Sequence, residues 1–299
     1  MKAQKNTGST MHVYVDAKPT ETLEPSKANQ HFFAALTSSN EEGIKDVTGD
    51  FKTTKGKSKA GRARRIAAAV REGEIGLMAN VVTGKSNGQL AHLAVDTVNQ
   101  VRNQIGAEWL LEDGKLHSLR WNGYDYRLKS ALGTMVYGGL LPILCLPHTT
   151  FADGHSDIHG ITIILDSLPG ENERGMELLQ AIARARPAAS MWAQALANGL
   201  EIEIANLRAF TPSGGTRTPG KRHPNAILVD WIAAGAYAFH SPAQMQAANG
   251  YSDEQIDAFG SIWKEIEAQG FSKLMDLDNM PQAFFDFQTA FTAGDLDFS

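Results

Sequence analysis

The sequence predicts a mixed α/β protein with a partly parallel sheet, an antiparallel meander near residues 108–128 and a helical C-terminal region. Three observations carry this. Asp113-Gly114 and Asn122-Gly123 are hairpin dipeptides flanked by strand-forming segments at Glu108–Glu112, Lys115–Trp121 and 124–128. Strand, helix and strand follow one another from 161 to 207, the order of a βαβ unit, whose two strands run parallel. Beyond residue 225 helical spacing dominates.

The elements follow in chain order. His12-Val13-Tyr14-Val15 is a strand candidate and 30–36 a short helical stretch. The turn-rich sequence after them reads as an arm or small subdomain spanning 1–60. Residues 62–71 (Arg-Ala-Arg-Arg-Ile-Ala-Ala-Ala-Val-Arg) are strong helix formers closed by Glu72-Gly73, and 74–82 form an apolar run that reads as a buried strand. Leu90, Leu93, Ala94, Val98 and Val101 give 89–104 helical spacing. The runs 140–146 and 161–165 are buried-strand candidates separated by a polar loop at 147–160. A long helix over 171–197 breaks near Pro187, and 200–207 is the next strand. The segment 211–225, rich in Pro, Gly and Thr, is the best boundary, so an α/β core spans 61–210 and a helical, acidic region 226–299. There Phe284, Phe285, Phe287 and Phe291 form an aromatic stripe expected to dock on the core.

With 299 residues and 42% hydrophobic content the chain can bury one large core or two modest ones, which excludes disorder throughout. Its single cysteine, Cys145, lies in an apolar run and can form no intrachain disulfide, which fits a reducing compartment. The polar N-terminus and the lack of an apolar stretch of about 18 residues give the expectation of a cytoplasmic protein with no membrane contact. Charge is uneven. Lys52, Lys55, Lys57, Lys59, Arg62, Arg64 and Arg65 stand together without an acid, whereas 251–299 holds ten acids against Lys264 and Lys273. Such asymmetry suits an arm that contacts nucleic acid, arm-to-tail contacts in a homo-oligomer, or a solvated basic loop.

Two constellations carry chemistry. Ala79-Asn80-Val81-Val82-Thr83-Gly84-Lys85-Ser86 follows an apolar strand and precedes a helix. It resembles the Walker A loop of P-loop NTPases, with Ala79 in place of the family's first glycine. The resemblance spans about 15 residues and implies that Gly84 and Lys85 hold the phosphates of a nucleoside triphosphate, with Ser86 on its Mg²⁺. Ile161-Thr162-Ile163-Ile164-Leu165-Asp166 resembles the family's Walker B strand, which implies a catalytic metal role for Asp166 beside Lys85. The competing reading is an exposed turn at 83–88.

The second constellation packs His148, Asp153, His155, Asp157 and His159 into twelve residues. Imidazole and carboxylate together suit Zn, Fe or Mn. His155-Ser156-Asp157 also resembles the His-x-Asp segment of non-haem iron oxygenases, which implies a facial triad completed by His223 or His240. The alternative is a polar loop whose side chains cap its own turns.

The leading expectation is therefore a nucleotide-phosphate-binding protein, an NTPase acting near nucleic acid through 52–65. An assembly protein with a basic arm and acidic tail is the alternative, and a metal-dependent enzyme built on His155 and Asp157, with divalent Fe or Zn, is a third class.

Overall fold

A computed structural model describes residues 9–18, 30–38, 42–45, 47–51, 54–74, 77–85, 87–165, 173–185, 190–207, 223–269 and 272–276. The Phe stripe at 284–291 lies outside them.

The architecture is α/β. A mixed six-stranded sheet has the order β8-β7-β1-β2-β3-β9, formed by β1 (Ser9–Lys18), β2 (Gln30–Ser38), β3 (Leu77–Lys85), β7 (Ile158–Leu165), β8 (Glu201–Asn206) and β9 (Ser272–Asp276). β1 runs parallel to β7 and antiparallel to β2, and β7 runs parallel to β8. The expected meander is present as β4 (Glu108–Glu112), β5 (Lys115–Trp121) and β6 (Tyr124–Arg127). Its two turns place Asp113, Gly114, Asn122 and Gly123 at positive φ, the requirement of tight hairpins that selects Asn, Asp and Gly.

Helices cover both faces of the six-stranded sheet. On one, α2 (Asn87–Ile105), α3 (Leu128–Leu144), α5 (Glu173–Ala185) and α6 (Ser190–Ala197) pack against Val13, Val15, Phe33 and Val82. On the other, α1 (Gly56–Arg71), α7 (Pro224–His240) and α9 (Asp253–Ala268) pack against Tyr14, Phe32, Leu36 and Val81. Along β1 the odd residues serve the first core and Tyr14 the second, as the period of two demands. α7 is buried over nearly its whole length, so it is apolar on every side. Ser252 and Gln255 close the start of α9 with a reciprocal capping box. Among the described residues no single helix is long and apolar enough to cross a membrane.

Four local expectations are corrected. Residues 9–18 and 30–38 are central strands and not part of an arm. Residues 30–36 are strand and not helix, because both faces of β2 are covered and Phe32 and Phe33 feed opposite cores. The run 140–146 is no strand. It holds the end of α3 and the start of α4 (Leu146–Asp153), and a short run buried on all sides has no period to tell strand from helix. The loop expected at 147–160 begins with α4.

Gly138 of α3 sits against α5, where an added Cβ would lie 2.5 Å from Cγ2 and 3.0 Å from Cβ of Ile182. Gly138→Val should therefore destabilise the fold by about 1–3 kcal/mol through overpacking, measured as a lower urea midpoint.

Candidate functional site

The carboxyl ends of β1 and β7 point the same way, with Val15 the Cα partner of Leu165 at the end of β7. From there the sheet grows in opposite directions, to β2 and β3 on one side and to β8 on the other. In open α/β sheets such a divergence leaves a crevice outside the strand ends, the usual location of a ligand site. Asp16 stands at this point on β1, and Lys18 follows two residues later on the same face, the one covered by α7.

Asp16 is 3% exposed and Asp230, in the middle of α7, is 1% exposed. The Lys18 ammonium forms an ion pair with Asp230 Oδ1. Asp230 Oδ2 accepts a hydrogen bond of 2.6 Å from the Phe51 N–H. Asp16 Oδ1 accepts from the Ala17 N–H at 2.8 Å, whereas Asp16 Oδ2 is buried without an N–H or hydroxyl donor, so the carboxyl can bond Asp230 only when one of the two carries a proton. Burial raises the Asp16 pKa to about 7. Lys18 opposes the rise, and both the Asp230 charge and a hydrogen bond to Asp230 add to it. Two buried carboxylates, one with an unsatisfied oxygen, are suited to exchanging a proton or to taking a cation. The sequence carries a signal for each. Asp16 interrupts the apolar strand Val13-Tyr14-Val15, and Asp230 interrupts Ile227-Leu228-Val229 and Trp231-Ile232.

The expected phosphate loop has a different shape. Ala79–Lys85 is extended, paired with β2 from Leu36 back to Gln30, and Ala79–Thr83 pairs with β9 on the other side. The first seven residues of the expected loop, Ala79–Lys85, are thus corrected from loop to strand. The backbone of Gly84 and Lys85 stands opposite His31 and Gln30, in a ladder that leaves no loop there to wrap a phosphate. Val81 and Val82, β-branched and buried on opposite faces, are the local cause. The Lys85 side chain, Ser86 and Asp166 lie outside the described residues.

The histidine and aspartate set is not gathered. The His155 ring stacks on Phe151 at 4.0 Å and its Nδ1 lies 2.7 Å from the Phe151 carbonyl oxygen. Exposed Asp157 accepts, through its backbone carbonyl, the Ser9 N–H at the start of β1. His223 stacks on Tyr14 at 4.8 Å and caps α7 by accepting the Asn225 N–H. Asp157 and His223 thus meet β1 at Ser9 and Tyr14, five positions and about 17 Å apart at strand rise. His148 is fully buried in α4, with burial driving its pKa down to about 4. Among the described residues no three His, Cys, Asp or Glu converge as metal ligands.

The basic run is largely helix, and several of its cations have partners inside the protein. Lys59 is buried, donates to the Tyr251 hydroxyl at 2.7 Å and lies 4.3 Å from the centre of the Phe51 ring. Arg62 donates to Thr54 Oγ1, while Arg64 pairs with Glu254 and Arg65 with Glu74. Lys55 is exposed at the start of α1, and Lys52 and the Lys57 side chain lie outside the described residues.

Asp16 gives a pH dependence with a definite sign. Its folded pKa of about 7 lies above the roughly 3.9 of an unfolded chain. Its contribution to stability is complete below about pH 4 and is lost as pH rises through about 7. Asp16→Asn, which mimics the neutral carboxyl, should gain stability relative to wild type between pH 4.5 and pH 8, read from urea midpoints. A difference independent of pH would remove Asp16 as the cause.

Compared with protein-family models, curated proteins and solved structures, the chain has no significant match in any of the three.

Proposed function

We propose that the protein is a divalent-cation-dependent enzyme acting on the phosphate esters of nucleotides or nucleic acids, with its centre at Asp16 and Asp230 and not at Gly84 and Lys85 at the end of β3. The observation that carries this reading is the pair of buried, adjacent carboxyl groups at the β1/β7 divergence, one of them with an oxygen that no N–H or hydroxyl donor satisfies. Carboxylate oxygens are the ligands a hard cation such as Mg²⁺ or Mn²⁺ selects. Asp166 is the natural third ligand, because it directly follows Leu165, and Leu165 is in register with Val15, the neighbour of Asp16.

When bound, such a cation would polarise a phosphoryl oxygen and supply a water of lowered pKa. The chain's own residues supply the rest. Asp16 and Asp230 would hold the cation, and the Phe51 N–H fixes one Asp230 oxygen in place. The connection from β8 to α7 carries Arg208, Arg217, Lys221 and Arg222 and no acid, a composition that favours a polyanionic substrate.

Hydrolysis of bis(p-nitrophenyl) phosphate, labelled single-stranded DNA and labelled RNA, each with Mg²⁺ or Mn²⁺, tests the reading. Asp16→Asn and Asp230→Asn should each lower the cation-dependent rate by more than about 100-fold, since even partners of metal ligands cost 10–100-fold. Lys85→Ala should leave the rate near wild type. Loss of nucleotide binding in Lys85→Ala, with Asp230→Asn unaffected, would return the site to the end of β3.

A further inference from the structure

Two carboxylates with 3% and 1% exposure need a positive charge beside them, and β1 supplies one of its own. Lys18 is the last residue of β1, its side chain is 7% exposed, and its ammonium contacts Asp230 Oδ1. It lies on the same face as Asp16, two residues away. Lysine combines a compact charge with a stem of four rotatable methylenes, so its head can leave a carboxylate while its backbone stays in the sheet. A divalent cation seated on Asp230 would meet the ammonium at close range, and two positive charges repel strongly in a buried site.

We propose that Lys18 is a tethered counter-ion standing in the place of the divalent cation, so that cation binding and release of the Lys18 ammonium from Asp230 are one exchange. This rests on the carboxylate-pair reading and adds to it a built-in competitor. The cation must displace a charge already bound, which weakens its apparent affinity in the wild-type chain. The freed ammonium no longer pairs with Asp230 and becomes open to amine-directed reagents.

The experiment uses the full chain and Mn²⁺. Binding is followed by isothermal titration for wild type, Lys18→Met and Asp230→Asn. In parallel, wild type is acetylated briefly with acetic anhydride, with and without Mn²⁺, and modification of Lys18 is quantified by mass spectrometry. Lys18→Met should bind Mn²⁺ at least about tenfold more tightly than wild type, a difference of about 1.4 kcal/mol. Asp230→Asn should lose binding. Acetylation of Lys18 should be low in the free protein and rise several-fold with Mn²⁺. Bound Mn²⁺ with Lys18 still protected overturns the exchange alone, as does unchanged or weaker affinity in a folded Lys18→Met. Absence of Mn²⁺ binding in wild type and Lys18→Met alike overturns the carboxylate-pair reading and the exchange with it. Should Lys18→Met fail to fold, the labelling of wild type decides.

Discussion

From Met11 to Lys18, β1 lies in the interior of the sheet with both faces covered, so its buried side chains, polar ones included, must be accommodated inside the protein. That constraint is met simply by Val13 and Val15, which join one core, and by Tyr14, which joins the other. Asp16 and Lys18 meet it through charge, and the position of α7 follows, because Asp230 lies in its centre among buried residues. The segment around 49–51 is tied to the same helix. The Phe51 N–H donates to Asp230 and the Gly49 carbonyl accepts from Trp231 Nε1 at 2.9 Å. A buried ion pair contributes little net stability compared with well-packed apolar residues, while loss of one partner costs about 3–5 kcal/mol.

The basic stretch illustrates how a charge pattern acquires a different meaning in three dimensions. Read along the chain, seven cations without an acid resemble a surface for phosphate. Folded, α1 lies beside α9, and acids distant in sequence come to its arginines, as Glu254 does to Arg64. Lys59 is held between Phe51 and Tyr251, where its ammonium faces two rings. The local positive field is thereby reduced, and Lys55 and Arg64, the latter paired with Glu254, are the exposed cations of the run among those described.

Legibility of the fold differed from element to element for physical reasons. The meander was readable because Asp-Gly and Asn-Gly turns impose a positive φ that few other residues adopt. α2 was readable because one face is apolar with helical spacing. The patterns at 30–36 and 140–146 mislead because each segment is buried on more than one side, and such burial erases the periodicity that separates helix from strand. Thr83-Gly84-Lys85 carries the spacing of a phosphate loop, yet β2 pairs with all three residues and β9 with Thr83 on the other side, which keeps the backbone extended. Local composition could not reveal β9, which comes from nearly 200 residues further along.

The sequence by itself determined the α/β class, the hairpin turns, the parallel β7–β8 unit and the preference for buried cysteine, since these depend on residues near one another in the chain. Only the tertiary structure decided the candidate site. Asp16 and Asp230 are more than 200 residues apart, and each alone is an acid in an apolar run. The parallel pairing of β1 with β7 and the packing of α7 over β1 make them neighbours. Their chemistry arises from that proximity in a water-poor interior, where burial and a second carboxylate shift a proton equilibrium that no single residue sets.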